Sequence, residues 1–158
     1  MELRGHCSCQ KARFELASPP MFVHACHCYW CQRETGSAFA INALIEASRV
    51  ALTEGEIETV LTPSKSGQGQ RIVRCPTCRV PLWSYYGGKL KDLVAFVRVG
   101  TLLSPDLCPP TIHIYTESKQ DWLSLSGDVP VVPAHYSAAK YWPQASLDRR
   151  AALFATLA

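Results

Sequence analysis

A mostly β domain of short antiparallel strands with one C-terminal helix is what this sequence predicts. Three observations point to it: apolar residues come in short runs broken by Gly, Pro and Ser, several of those runs alternate polar with apolar residues, and only the last stretch repeats at helical spacing. Of the 158 residues, 47% are hydrophobic and 18% are charged. That balance predicts a globular chain, and the length suits one domain over 1–158 that buries its core without disulfides.

Residues 11–16, Lys-Ala-Arg-Phe-Glu-Leu, alternate with the period of a half-buried strand. Residues 39–45, 57–61, 71–74, 81–85, 93–99 and 112–116 are short, rich in β-branched and aromatic side chains, and bounded by turn formers. Each predicts a strand. Residues 63–70, Pro-Ser-Lys-Ser-Gly-Gln-Gly-Gln, are too polar and glycine-rich to pack, which predicts a flexible loop. Because it precedes a cysteine pair by only a few residues, it is also a candidate cover for a substrate. Residues 105–110 and 130–133 are further irregular connections. A helix is expected at about 146–157, with Ser146 as N-cap, Asp148 in the first turn, and Leu147, Ala151, Phe154, Ala155 and Ala158 on one face. It is expected to cover an edge of the sheet.

No apolar stretch approaches the roughly 20 residues needed to cross a bilayer, and the start, Met1-Glu-Leu-Arg-Gly-His6, lacks the apolar core of a secretory signal. A cytoplasmic protein with no membrane partner is expected. In a reducing compartment, eight cysteines argue for metal binding over disulfides. Cys7-Ser-Cys9, Cys26-His-Cys28-Tyr-Trp-Cys31 and Cys75-Pro-Thr-Cys78 place thiols one or two residues apart, too close to bridge each other comfortably and well placed to turn around an ion.

A structural zinc takes four ligands, usually as two close pairs from distant parts of the chain. Cys7 and Cys9 with Cys75 and Cys78 match that description, Pro76 setting the turn of the second pair. Cys26, Cys28 and Cys31 remain, a three-thiol set with one coordination position unassigned. That position is either open to water or substrate, as in catalytic zinc, or closed by His24, His27 or Cys108. Cys108 also reads as a small buried hydrophobe. Two Zn²⁺ per chain are expected. With seven thiolates and two Zn²⁺ counted, the formal charge of +3 falls to zero. No nucleic-acid partner is therefore expected, since no basic run exceeds Arg149-Arg150.

Four segments, Gly5-His-Cys7-Ser-Cys9, Cys26-His-Cys28-Tyr-Trp-Cys31-Gln-Arg-Glu-Thr-Gly-Ser-Ala-Phe39, Cys75-Pro-Thr-Cys78 and His113-Ile-Tyr-Thr-Glu-Ser-Lys-Gln-Asp-Trp122, together resemble the glutathione-dependent formaldehyde-activating enzyme family, which includes centromere protein V. The resemblance runs in order from Gly5 to Trp122. It implies a tent-like Mss4-like β fold, with Cys7, Cys9, Cys75 and Cys78 as structural zinc ligands and Cys26, Cys28 and Cys31 as catalytic zinc ligands. It also implies a carbon–sulfur lyase whose partners are a thiol such as glutathione and a small aldehyde, formaldehyde, joined or split as S-hydroxymethylglutathione. Two positions depart from the family pattern: Arg79-Val-Pro81 follows Cys78 where Gly-Ser is usual, and Gln10 stands where glycine is common. Different local turns are expected there.

Three thiolates leave a zinc site at net charge −1, a poorer Lewis acid than a three-histidine site and better suited to thiol chemistry. Glu34, His27 and His113 are candidate general acids by their place in the motifs, and Tyr29, Trp30, Phe39 and Trp122 are candidate pocket walls. The alternative is a non-enzymatic zinc module that binds another protein, which requires a closed second site. A nucleobase deaminase is set aside because no His-x-Glu precedes a Pro-Cys-x-x-Cys.

Overall fold

The structure, a computed structural model, describes residues 3–88, 92–125 and 127–157. Within them the chain is mostly β. The strands are β1 (Leu3–His6), β2 (Arg13–Leu16), β3 (Phe22–Cys26), β4 (Ala40–Glu46), β5 (Val50–Glu54), β6 (Glu58–Thr62), β7 (Gln70–Arg74), β8 (Pro81–Tyr86), β9 (Val94–Arg98) and β10 (His113–Ile114). Three α-helices join them: α1 (Tyr29–Thr35), α2 (Ala138–Tyr141) and α3 (Gln144–Ala155). A three-stranded sheet runs in the order β1-β2-β5, and a seven-stranded sheet in the order β10-β3-β4-β9-β8-β7-β6.

Side-chain alternation divides the large sheet into two faces. On one face Val23, Ala43, Ile45, Ala95 and Val97 join Leu3, Phe14 and Leu16 of the small sheet in a first core, which also contains Cys7, Cys75 and Cys108. On the other, Phe22, Cys26, Leu44 and Val94 join Cys28, Cys31, Tyr136 and Trp142 in a second core. β4 and β9 are buried on both sides, so they carry few charges. Gly5 leaves room for its cross-strand neighbour Phe14 and for the segment after β9: a Cβ there would lie 2.4 Å from the Phe14 ring and 2.6 Å from the carbonyl oxygen of Thr101.

All seven expected strands form, with ends moved by one or two residues except at 112–116. Only His113–Ile114 is a strand there, because Tyr115 turns to φ 54, a left-handed conformation that ends pairing. β10 also pairs parallel to β3, in contrast to the antiparallel expectation; every other strand pair is antiparallel. β3 was not foreseen, since Phe22-Val-His-Ala-Cys26 is buried on both faces and does not alternate.

The C-terminal helix begins at Gln144, with Pro143 in the cap position and its carbonyl accepting from the amides of Ser146 and Leu147 at 3.0 Å each. Ser146 is not the N-cap. It lies inside the first turn, where its hydroxyl donates to the Met21 carbonyl at 2.6 Å. Leu147 packs against the second core and Phe154 is half-buried, whereas Ala151 and Ala155 are exposed; Ala158 lies outside the described residues. The helix thus closes over the second core, not over a sheet edge. Among the described residues no helix is long and apolar enough to cross a membrane.

Candidate functional site

The thiols of Cys7, Cys9, Cys75 and Cys78 lie within 4.8 Å of one another, a group able to hold a metal ion. Cys7 directly follows β1 and Cys9 sits in the turn to β2, so the first pair comes from one hairpin. The second pair follows β7, where the Arg79 amide donates to the Cys75 carbonyl at 3.0 Å. Gln10 at φ 60 and Arg79 at φ 64 are both left-handed. The departures from glycine therefore fall on backbone that glycine adopts most freely. Desolvation opposes the Cys78 thiolate, but the backbone amides of Cys9 and Val80 outweigh it and lower its pKa to about 6.

Cys26, Cys28 and Cys31 form the second group able to hold a metal, again with sulfurs within 4.8 Å. Cys26 ends β3, Cys28 is the N-cap of α1, and Cys31 lies in its first turn, donating its amide to the Cys28 sulfur at 3.4 Å. The helix was missed by sequence because the cysteine spacing dominated a segment with a single buried position, Cys31. Thiols of Cys26 and Cys31 donate to Cys28 and hold its pKa down to about 2, whereas donating to Cys28 pushes that of Cys26 up. One member of the trio loses its proton most readily.

Among the described residues no fourth His, Cys, Asp or Glu joins these three thiols at that distance. His27 is committed elsewhere, with Nε2 and His113 Nδ1 2.9 Å apart and its ring 5.0 Å from that of Phe39. Cys108 is buried in the first core, as expected of a small hydrophobe. His24 shares the face of Cys26, its ring 6.0 Å from Phe96, and burial lowers its pKa to about 3.

The three thiols open onto a cavity of about 380 Å³. Ser64, Lys65, Ser66 and Gln68 form one side, so the polar loop does meet the cavity. It also packs, contrary to expectation: Ser64 is buried, its hydroxyl is 2.9 Å from that of Ser66, and Lys65 pairs with Glu117 at 3.4 Å. Gln70, Tyr86 and Phe96 come from the sheet, and Tyr115, His135, Arg150 and Phe154 from the later chain. Burial, then the nearby thiolates, raises the pKa values of Tyr86 and Tyr115, so both phenols stay protonated at neutral pH. Arg98 is buried behind the site and donates to Asn42 Oδ1; its charge favours the Cys31 thiolate.

Of the candidate walls, Trp30 lines the cavity. Tyr29 and Trp122 border a separate hollow with Arg33 and Gln120, and Phe39 packs on His27. Glu34, His27 and His113 are not among the cavity's lining residues. Glu34 instead pairs with Arg74 at 2.6 Å. Gln32 explains why the second and fourth motifs travel together, since its side-chain amide donates to the His27 and Ser118 carbonyls at 2.7 and 2.8 Å.

The model of the family described as glutathione-dependent formaldehyde-activating enzyme matches residues 2–118. The chain belongs to this family. All seven clustered cysteines of this formaldehyde-activating family member lie inside the match, and His135, Arg150 and Phe154 lie beyond it. Comparison with curated proteins gave no match. Among solved structures, a crystal structure of a Rhodobacter sphaeroides protein is similar to the chain at a TM-score of 0.49 and 20% identity, covering 68% of this chain and 96% of the other.

Proposed function

We propose that the protein is a zinc-dependent carbon–sulfur lyase acting on a thiol–aldehyde adduct such as S-hydroxymethylglutathione, in the cytoplasm and as a single domain over 1–158. The supporting observation is a trio of thiols without a fourth metal-binding side chain among the described residues, facing a cavity with protonated phenols. Seven sulfur donors in groups of four and three suit zinc, the four-thiol group as a closed structural site and the three-thiol group as a catalytic one. Zinc at the three-thiol group would lower the pKa of a substrate thiol and present its sulfur as a nucleophile at neutral pH.

The chain's own residues supply the rest. As the substrate sulfur, its proton already lost to solvent, forms its bond to the aldehyde carbon, the carbonyl electron pair moves to oxygen, that oxygen takes a proton from Tyr115 Oη or Tyr86 Oη, and the phenolate regains a proton from solvent. The reverse reaction returns the proton and releases aldehyde. Tyr115 is held at φ 54 after β10, a strained backbone that aims a side chain at the cost of local stability. Phe96, Phe154 and Trp30 exclude water from the adduct. The non-enzymatic alternative needs a closed second site, and it is disfavoured because none of His24, His27 and Cys108 joins the three thiols within 4.8 Å.

The test is exchange NMR of glutathione with formaldehyde in the presence of zinc-loaded protein. Exchange faster than the uncatalysed rate, and slowed in Tyr115→Phe or Tyr86→Phe, is expected. Exchange at the buffer rate from protein that carries two zinc ions overturns the lyase reading.

A further inference from the structure

The family match ends at residue 118, yet one side of the cavity is built by the C-terminal residues His135, Arg150 and Phe154. α3 is fixed to the body at several points. Arg149 donates from Nε to Glu46 Oε1 at 2.8 Å and from Nη1 to the Pro19 carbonyl at 3.0 Å, Ser146 holds the Met21 carbonyl, and Trp142 stacks on Phe22 with ring centroids 5.4 Å apart. Successive helix residues point about 100° apart. With Arg149 turned to Glu46, Arg150 and then Phe154, one turn on, face the cavity.

Apart from the three thiols, the charged side chains lining the cavity among the described residues are Lys65 and Arg150, both basic, and no Asp or Glu is there. Lys65 has Glu117 as a half-exposed partner. Arg150 has no carboxylate partner among the described residues; its guanidinium lies 4.7 Å over the Phe154 ring, which holds the planar fork in place. An anchored, unneutralised guanidinium facing a cavity is suited to bind a carboxylate through two parallel hydrogen bonds.

We propose that α3 is the specificity wall of this site and that Arg150 selects thiols that carry a carboxylate, holding that group while the sulfur reaches Cys26, Cys28 and Cys31. Arg150 is a specificity-determining residue outside the segment that defines the family. The assignment rests on the three-cysteine group being where substrate sulfur binds.

Two thiols of matched size separate charge from shape: 3-mercaptopropionate and 3-mercapto-1-propanol. Their binding to zinc-loaded protein, measured by titration calorimetry without aldehyde, does not depend on turnover. The wild type is expected to bind the carboxylate thiol about two to five times more tightly, the effect of one partly exposed charge pair. Arg150→Gln should erase the preference, Arg150→Glu should reverse it, and Arg150→Lys should restore part of it, with zinc content and circular dichroism unchanged in each. Equal weakening of both thiols in Arg150→Gln, or an unchanged ratio, overturns the proposal. Exchange NMR with formaldehyde on the same samples separates the two readings: selective binding without turnover removes the lyase and leaves the wall, and turnover without charge selectivity does the reverse.

Discussion

Glu34 Oε2 lies 2.6 Å from Arg74 Nη2, joining the helix that carries Cys31 to the residue that precedes Cys75. Both side chains are about four-fifths buried, at 17% and 20% exposure. The pair ties one cysteine group to the other and leaves Glu34 with a structural task. Glu34→Gln is expected to lower stability in urea by about 1–2 kcal/mol while two metals are retained and turnover stays within about twofold. A hundredfold loss of turnover at unchanged stability would instead make Glu34 a proton donor.

The two cysteine groups should respond differently to serine. Cys9 and Cys75 are 66 positions apart, so a metal shared between their pairs closes a long loop, worth on the order of 4 kcal/mol by analogy with a covalent cross-link. Cys75→Ser is expected to give unfolded or insoluble protein, because metal-binding energy at such a site is folding energy. Cys26, Cys28 and Cys31 constrain little chain. Cys28→Ser should stay folded with about one zinc by elemental analysis and should lose thiol-dependent activity. A Cys28→Ser protein as unfolded as Cys75→Ser would make the second group structural.

Arg98 is a buried cation whose Nε and Nη2 have no hydrogen-bond partner among the described residues, and three thiolates holding a zinc ion would leave one negative charge to balance it. Arg98→Met should weaken metal retention at the three-thiol group by about tenfold, with the four-thiol group unaffected. Competition with a chromophoric chelator reads the two sites as separate phases. Equal loss from both would point to general unfolding.

The anchor of α3 is acid-sensitive. Burial opposes the Glu46 carboxylate, but the guanidinium of Arg149 outweighs it and its pKa falls below the ordinary 4.5. A depressed carboxylate pKa adds stability that is present above the unfolded value and lost as pH falls through the folded one. The stability gap between the wild type and Glu46→Gln in urea should therefore be constant down to about pH 5 and should narrow below it. A gap that widens on acidification would mean that the pair is not what holds the helix.

The cysteine grouping was legible because ligands one or two residues apart have few other uses, and most strands were legible because half-buried strands alternate. β3 was hidden by burial on both faces, and α1 by its length and by the cysteines that open it. The expected general acids illustrate a different limit. Glu34, His27 and His113 adjoin the ligand motifs in sequence, but a helix and a sheet edge turn them away, and the phenols of Tyr86 and Tyr115 reach the cavity from β8 and from just past β10. Strand parity would have placed His24 with Cys26 and Phe96 with Arg98 had β3 been recognised. Gln10 and Arg79, the two departures from the family pattern, both adopt the left-handed backbone.

Because the two cysteine groups are embedded in different cores on opposite faces of one sheet, the fold is expected to behave as two units of cooperativity that share β4 and β9. Stripping the three-thiol group loosens α1 and the C-terminal segment while the small sheet keeps its own staple. Chelation then opens the protein in stages, and amide protection should fall first around Trp142 and last along β2. A fold built this way should show a single melting point only when both cysteine groups hold a metal.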